Sequence, residues 1–252
     1  MGPAYNIEIY SRRIEVLTRS VTRHIDQPAE DLRILDVGCG SGFYTEFWKA
    51  HSVRDYTGLD ISANSVNQLS GQYPEFRFVQ TDITADQFGL RDSEPFDVIT
   101  VFDVLYHIVD EQRFESAVST IANHVREDGH VMVMDHLCRN DYQLSRHVRY
   151  RARERYLAAF QSRNLFLVEN ELLFHFLVPP ITEIRFIDYL SAAAFKAMGL
   201  ALRRFDGPSA WVARRLRRMD NSLRARGKCV SNSELLVFRK KAKSIDRHNH
   251  HD

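Results

Sequence analysis

Cysteine is scarce in this chain. Its 252 residues hold three, Cys39, Cys138 and Cys229, far apart and without a C-x-x-C pair. That spacing argues against a zinc site or a disulfide framework and suits a reducing, cytoplasmic setting. Long apolar runs are missing too. The longest, residues 190–202, is interrupted by Lys196 and falls short of the about 20 residues that span a bilayer. No cationic, apolar, small-residue leader follows Met1, so no secretory signal is expected. Internal repeats and low-complexity tracts are absent. The composition is 44% hydrophobic and 27% charged, which fits a globular protein with enough residues to bury a core unaided.

Overall charge is nearly absent, at +1, but the balance hides two blocks. Residues 1–138 carry 11 Lys/Arg against 22 Asp/Glu, and residues 139–252 carry 23 against 11. A basic half has two readings. It meets an anionic partner such as phosphate, nucleic acid or a membrane surface, or it is a solvated face that balances the acidic half.

Hydrophobic periodicity lays out alternating helices and strands. Tyr10, Ile14, Leu17, Val21 and Ile25 recur at helical spacing, ending near Pro28. Residues 33–37 read as a buried strand, followed by a glycine turn and a helix over 43–50. Further strands are expected at 56–60, 76–81, 96–102 and 130–137, with helices at 62–72 (capped by Ser62) and 110–126. Val98, Ile99 and Val101 are typical of a parallel strand buried on both faces. A sixth strand is expected over 165–178, broken by Pro179-Pro180, and a seventh over 234–239. The pattern predicts an α/β, doubly wound, seven-stranded, mostly parallel sheet with a helical insertion between its last two strands. The main domain would comprise 1–180 and 231–240, with a basic helical lid at 181–230 and a disordered tail at 241–252. His248, His250 and His251 in that tail could bind stray metal, against the simpler reading of a polar tail effect, and no dedicated metal site is expected.

Chemistry concentrates at the strand ends. In Ile34-Leu35-Asp36-Val37-Gly38-Cys39-Gly40-Ser41-Gly42 the glycines let a ligand approach the backbone. Their G-x-G-x-G spacing differs from the pyrophosphate fingerprint G-x-G-x-x-G. A carboxylate at Asp36 would repel a pyrophosphate but suits the ammonium of an amino-acid ligand. Asp60, in Gly58-Leu59-Asp60-Ile61-Ser62, stands at the second strand's end, where an acid accepts hydrogen bonds from a ribose diol. Asp82 and Ile83 end the third strand, able to meet an adenine amine and ring. Phe102-Asp103 ends the fourth.

Taken together, ILDVGCGSGFYT, GLDIS, QTDIT and FDVITVFDVLYHIVD resemble motifs I to IV of the class I (Rossmann-like) S-adenosylmethionine-dependent methyltransferases, in order, across residues 30–137. The resemblance implies S-adenosyl-L-methionine as cofactor and a seven-stranded sheet with a reversed last strand. By position, it implies that Asp36, Gly38, Cys39, Gly40 and Gly42 line the methionine end and that Asp60 with Ile61 takes the ribose. Asp82 with Ile83 takes the adenine, and Phe102 closes the site from below. No N/D-P-P-Y run, catechol-type metal constellation or catalytic cysteine is found.

Methyl transfer to a hydroxyl benefits from a base near the mouth of the crevice. His107 and His136 are the candidates, with Asp135 a potential orienter of an imidazole; for each, simple packing beside the cofactor is the alternative. Arg146, Arg149, Arg151, Arg153 and Arg155 are expected on or near one helix after the fifth strand, where acceptor loops gather. Asp206-Gly207-Pro208 opens a second basic helix that ends at Gly227 and bears a Val212, Leu216, Met219 and Leu223 stripe flanked by arginines. That stripe either docks on the catalytic domain or lies on an anionic membrane. The expected function is methylation of a hydroxyl on a small-molecule, sugar or lipid-linked acceptor, anionic in keeping with the arginines. The alternatives are a nucleic-acid or protein methyltransferase, or a cofactor-binding protein without catalysis.

Overall fold

Ile34 and Val98 pack on one side of a central sheet and Leu35, Val37, Ile99 and Val101 on the other, each 3% exposed or less. That two-sided burial is what a parallel sheet covered by helices requires. The computed structural model describes residues 3–85, 90, 94–174, 178, 181–202, 206–225 and 233–242. Its main strands are β1 (Arg33–Val37), β2 (Asp55–Asp60), β3 (Arg77–Gln80), β4 (Phe96–Phe102), β5 (Val125–His136), β8 (Leu165–Leu172) and β9 (Ser233–Lys240). They form one seven-stranded sheet in the order β3-β2-β1-β4-β5-β9-β8. β9 runs antiparallel to both its neighbours and the other pairings are parallel. The winding reverses between β1 and β4, so their carboxyl ends open a crevice.

Helices α1 (Pro3–His24), α2 (Phe43–Ala50), α3 (Ala63–Gln72), α4 (Glu111–His124) and α5 (Arg153–Gln161) cover the sheet. Ser62 caps α3 by accepting from the Ser65 amide, and Asp110 caps α4 by accepting from the Arg113 amide. On α4, Phe114, Ala117, Val118 and Ile121 recur at i, i+3, i+4 and i+7 and are fully buried with Leu35, Val37 and Phe160. Leu17 of α1 and Trp48 of α2 pack in the opposite layer with Ile34 and Val98. Each large side chain so buried contributes about 1.5–3 kcal/mol before entropy is counted.

Two expectations are corrected. The arginine-rich stretch after β5 is not one helix. Residues Tyr142–Ser145 and Val148–Tyr150 form an antiparallel hairpin, β6–β7, and only Arg153 and Arg155 reach α5. Alternation of Tyr142 with Leu144 and of Val148 with Tyr150 drives this, because large apolar side chains at period two favour strand. The sixth strand, β8, ends at Leu172 rather than 178.

Between β8 and β9 stand α6 (Arg185–Leu202) and α7 (Asp206–Ala225). α7 lies along α1, with Arg217 bonded to Glu8 and Glu15 and Leu216 packed into the core. Met219, expected on the same buried stripe, is 44% exposed. The Pro179-Pro180 break, Gly227, Cys229 and the tail histidines lie outside the described residues, as does the side chain of Leu223. No described helix is long and apolar enough to cross a membrane.

Candidate active site

The turn after β1 is left-handed three times over, with φ of 79° at Gly38, 53° at Gly40 and 84° at Gly42. A Cβ at Gly38 would come 2.3 Å from Val104 Cγ2, and one at Gly42 2.5 Å from Leu69 Cδ2. Glycine there satisfies both the backbone and its close neighbours. The Gly38 and Cys39 amides donate to the Leu59 carbonyl at 2.7 and 2.9 Å, tying the turn to the end of β2.

Asp60 closes this arrangement. Its Oδ2 accepts from the Gly40 amide at 2.9 Å and its Oδ1 from the Ser62 amide at 2.8 Å. Each oxygen keeps a lone pair for a further donor. The carboxylate borders a cleft of about 720 Å³ whose walls include Gly38, Ile61, Asp82, Ile83 and Phe102. Ile61 is 69% exposed, an aliphatic side chain left standing at the rim. A fixed carboxylate with spare lone pairs suits a vicinal diol, and flanking aliphatic side chains suit a planar ring. These residues fit the adenosine half of S-adenosylmethionine.

Not every expected contact lies on the cleft wall. Cys39, Gly40 and Gly42 belong to the turn without lining the cleft, and neither does Asp36. Asp36 is 1% exposed and accepts from Tyr56 Oη and Thr100 Oγ1, both at 2.7 Å. It therefore braces β1 against β2 and β4 from beneath the turn. Burial pushes its carboxyl up to about 6 against the pull of the two hydroxyls, with Asp60 adding to the rise. Asp82 is on the wall but already engaged. Its Oδ1 accepts from Thr84 and its Oδ2 from Arg113. Burial opposes its ionisation, yet the Thr84 bonds and the Arg113 guanidinium outweigh that and hold it below the ordinary aspartate range.

Sequence reasoning missed Arg13 and Tyr44. Arg13, on α1, forks onto both oxygens of Asp103 and donates to Tyr44 Oη. Asp103 holds φ 58° just past β4, an uncommon conformation for a non-glycine residue, and lines the cleft. Nothing in the helical period of α1 separates Arg13 from the adjacent Arg12, which is buried against Glu15 and Glu171 instead.

The two candidate bases fall in different places. His107 lies on a short 3₁₀ turn, Leu105–His107, and lines the cofactor cleft. Its Nδ1 sits 3.2 Å from the His147 carbonyl, a bond that needs the proton on Nδ1. His136, at the end of β5, lines a separate pocket of about 420 Å³ between the β6–β7 hairpin and α6, with Leu144, Tyr150, Ile181, Tyr189 and Ala192. The Tyr106 ring stands between the histidines, 4.3 Å from His107 and 5.7 Å from His136, centroid to centroid. Burial pushes His136 down to about 4, with Asp103 opposing and Arg13 assisting. Asp135 does not orient it. The Asp135 carboxylate turns inward to Tyr156 Oη at 2.6 Å and to the His136 amide at 2.8 Å, as strand alternation dictates.

Most of the arginines expected to face an acceptor hold the structure together instead. Arg151 is fully buried, bonded to Glu111 and to the carbonyls of Leu105, Ile108 and Asp110. Arg149 pairs with Asp141 and Glu111, and Arg155 with Glu111. Arg146 differs, lining the outer cleft beside His147.

Known methyltransferases resemble this chain in sequence and fold. The chain is 35% identical over 105 residues to the ubiquinone biosynthesis O-methyltransferase of Alkalilimnicola ehrlichii, covering 41% of each. It is 24% identical over 112 residues to the ubiquinone/menaquinone biosynthesis C-methyltransferase UbiE of Campylobacter jejuni, covering 42% of this chain and 45% of that one. It spans less than half the length of these curated relatives. The crystal structure of the N-methyltransferase NodS from Bradyrhizobium japonicum WM9 superposes with a TM-score of 0.55 at 17% identity, over 93% of this chain and 97% of that one; this likeness speaks to the fold alone. A family model described as a methyltransferase domain matches residues 9–172, which include every strand end described above up to the His136 pocket. With that match over most of its length and a seven-stranded sheet in which β9 runs antiparallel to both its neighbours, the chain belongs to the class I S-adenosylmethionine-dependent methyltransferases.

Proposed function

We propose that this protein transfers the methyl group of S-adenosylmethionine to a hydroxyl of a small acceptor held in the pocket between the β6–β7 hairpin and α6. When bound, the cofactor supplies an electrophilic methyl on a sulfonium. Asp60 and Ile61 hold its ribose, Asp82 and Ile83 border its adenine, and Gly38 and Phe102 flank the methionine end.

The observation that carries the reading is His136. It is the one candidate base that faces the second pocket, and burial keeps its imidazole neutral at physiological pH. A neutral imidazole offers a lone pair to an acceptor hydroxyl, and the Tyr106 and Tyr150 rings limit its swing. A base held that far below physiological pH works at the low end of the about 10²–10⁴-fold that positioned bases contribute. The mostly apolar and aromatic pocket lining, with Ser145, Asp188 and Ser191 as its other polar members, favours a small acceptor over a polymer, which would need a continuous basic groove. Pairing of Arg149, Arg151 and Arg155 with acids further weakens the polymer reading.

The test is release of S-adenosylhomocysteine with a panel of phenols, catechols and sugar alcohols. His136→Gln should lower kcat at least 100-fold and leave cofactor affinity unchanged, whereas His107→Gln should not lower kcat comparably. Parental turnover by His136→Gln would sink the reading.

A further inference from the structure

Part of the expected apolar stripe of α7 is spent on the protein itself: Leu216 packs against the core, and Arg217 reaches across to Glu8 and Glu15 on α1, while Met219 stays 44% exposed. The opposite side of α7 is the unusual one. Trp211, Arg214, Arg215 and Arg218 stand at i, i+3, i+4 and i+7, which puts them on one helical face. All four are exposed, Trp211 by 63%. No acid among the described residues pairs with these three arginines, and Asp220, the acid of this stretch, is buried elsewhere on the helix.

The neighbouring α6 adds an apolar counterpart. Phe186, Tyr189 and Leu190 stand at i, i+3 and i+4 and are 72%, 62% and 55% exposed. Asp188, the acid among them, is turned inward, where it accepts from Thr182. The exposed stripe is continuous with the His136 pocket, because Tyr189 belongs to both.

Large exposed aromatic and aliphatic side chains are unfavourably hydrated, and a contiguous set of them marks a surface that meets a partner. A tryptophan ringed by arginines, beside an aliphatic-aromatic helix face, matches the interfacial layer of an anionic bilayer. The indole sits at headgroup depth, the guanidinium groups meet phosphates and the apolar side chains enter the acyl boundary. We propose that the outward faces of α6 and α7 dock this protein on an anionic lipid bilayer, and that its acceptor is an apolar, bilayer-dissolved molecule that reaches the His136 pocket past Tyr189. The access route rests on the acceptor pocket assigned above; the docking does not.

The experiment is co-sedimentation of the full chain with phosphatidylcholine vesicles and with phosphatidylcholine–phosphatidylglycerol vesicles, at low and high salt. The parent should bind the anionic vesicles, be released by salt and ignore the zwitterionic ones. Arg214→Gln, Arg215→Gln and Arg218→Gln together should weaken partitioning on the order of 100-fold. Phe186→Ser with Leu190→Ser should also release the protein, with calorimetric affinity for S-adenosylmethionine unchanged as the check that both variants fold. A parent that stays in the supernatant, or a triple variant that sediments as the parent does, overturns the docking. So does a triple change that leaves vesicle binding alone but converts a dimer to a monomer in the ultracentrifuge, which would assign the face to a second copy. Equal turnover of a water-soluble phenol and of an alkyl-chain phenol presented in anionic vesicles overturns the bilayer-dissolved acceptor. Vesicle binding without methylation of any phenol would count against the proposed activity alone.

Discussion

Replacing Asp60 by Asn tests the cofactor site at its tightest point. In the parent, two backbone amides converge on different oxygens of one carboxylate, Gly40 at 2.9 Å and Ser62 at 2.8 Å. Asparagine has one acceptor oxygen and one NH₂, so whichever way it turns, one amide faces a donor. The glycine turn or the start of α3 must then yield. In the placement proposed above, the ribose diol also loses a charged acceptor for which hydrogen bonds are worth about 1.5–3 kcal/mol each. Loss of the charge and displacement of the turn together should cost about 2–4 kcal/mol of binding, about 30- to 1,000-fold in Kd. Titration calorimetry with S-adenosylmethionine reads this directly. Ser62→Ala is the control: it removes the α3 cap, worth about 1 kcal/mol of stability, while leaving the carboxylate in place. A folded Asp60→Asn that binds within twofold of the parent would refute the role given to the carboxylate. A Ser62→Ala that loses as much affinity would shift the explanation to general loosening of the turn.

The buried charges make further predictions. Asp36, raised from 3.8 to about 6, is an acid whose proton the folded state holds more tightly than the unfolded chain. The parent therefore loses stability as pH rises between those values, by about 3 kcal/mol. Asp36→Asn escapes this, since one of the Tyr56 and Thr100 hydroxyls keeps donating to its carbonyl oxygen while the other reverses to accept from its NH₂, so urea unfolding should show the variant gaining on the parent from pH 4 to pH 7; a pH-independent difference would count against it. Arg151→Met should lower unfolding free energy by about 1–3 kcal/mol, because it removes the guanidinium bonds to the Leu105, Ile108 and Asp110 carbonyls and one of the three arginines on Glu111, whereas Arg146→Gln should stay within about 0.5 kcal/mol; similar melting temperatures for the two would contradict the assignment.

The sheet was legible in the sequence because parallel strands buried on both faces read as unbroken apolar runs. Ile34-Leu35 and Val98-Ile99 are such runs, and each ends at a turn or an acid that marks the crevice. The hairpin was hidden by its arginines. Arg149 and Arg151 look like helix surface in a basic stretch, yet the alternating Tyr142, Leu144, Val148 and Tyr150 carry the two-residue period that decides the structure. In the site, Asp60, Ile61 and Ile83 were readable from their place after a strand. The inward turn of Asp36 was not, because burial beneath the turn depends on hydroxyls from two other strands. Arg13 was invisible for the same reason: its partner Asp103 lies 90 residues away, and helical periodicity reports only which face a residue shares.

The two charge blocks resolve once the chain is folded. Acids of the first half meet bases of the second: Glu111 gathers Arg149, Arg151 and Arg155, and Glu8 and Glu15 receive Arg217. Much of the asymmetry is thus internal complementarity between segments distant in sequence, which neither attracts an anion nor raises encounter rates. A count of arginines therefore overstates the basic surface. The informative quantity is the remainder. Among the described residues it includes Arg139, Arg185 and Lys196, Arg146 at the outer cleft, and a cluster of three, the Arg214, Arg215 and Arg218 face around Trp211. Charge that has a ready supply of acids in its own chain, yet stays unpaired beside an exposed tryptophan, is better explained by a surface the protein meets than by solubility. Solubility asks only for net charge and would favour removing the indole.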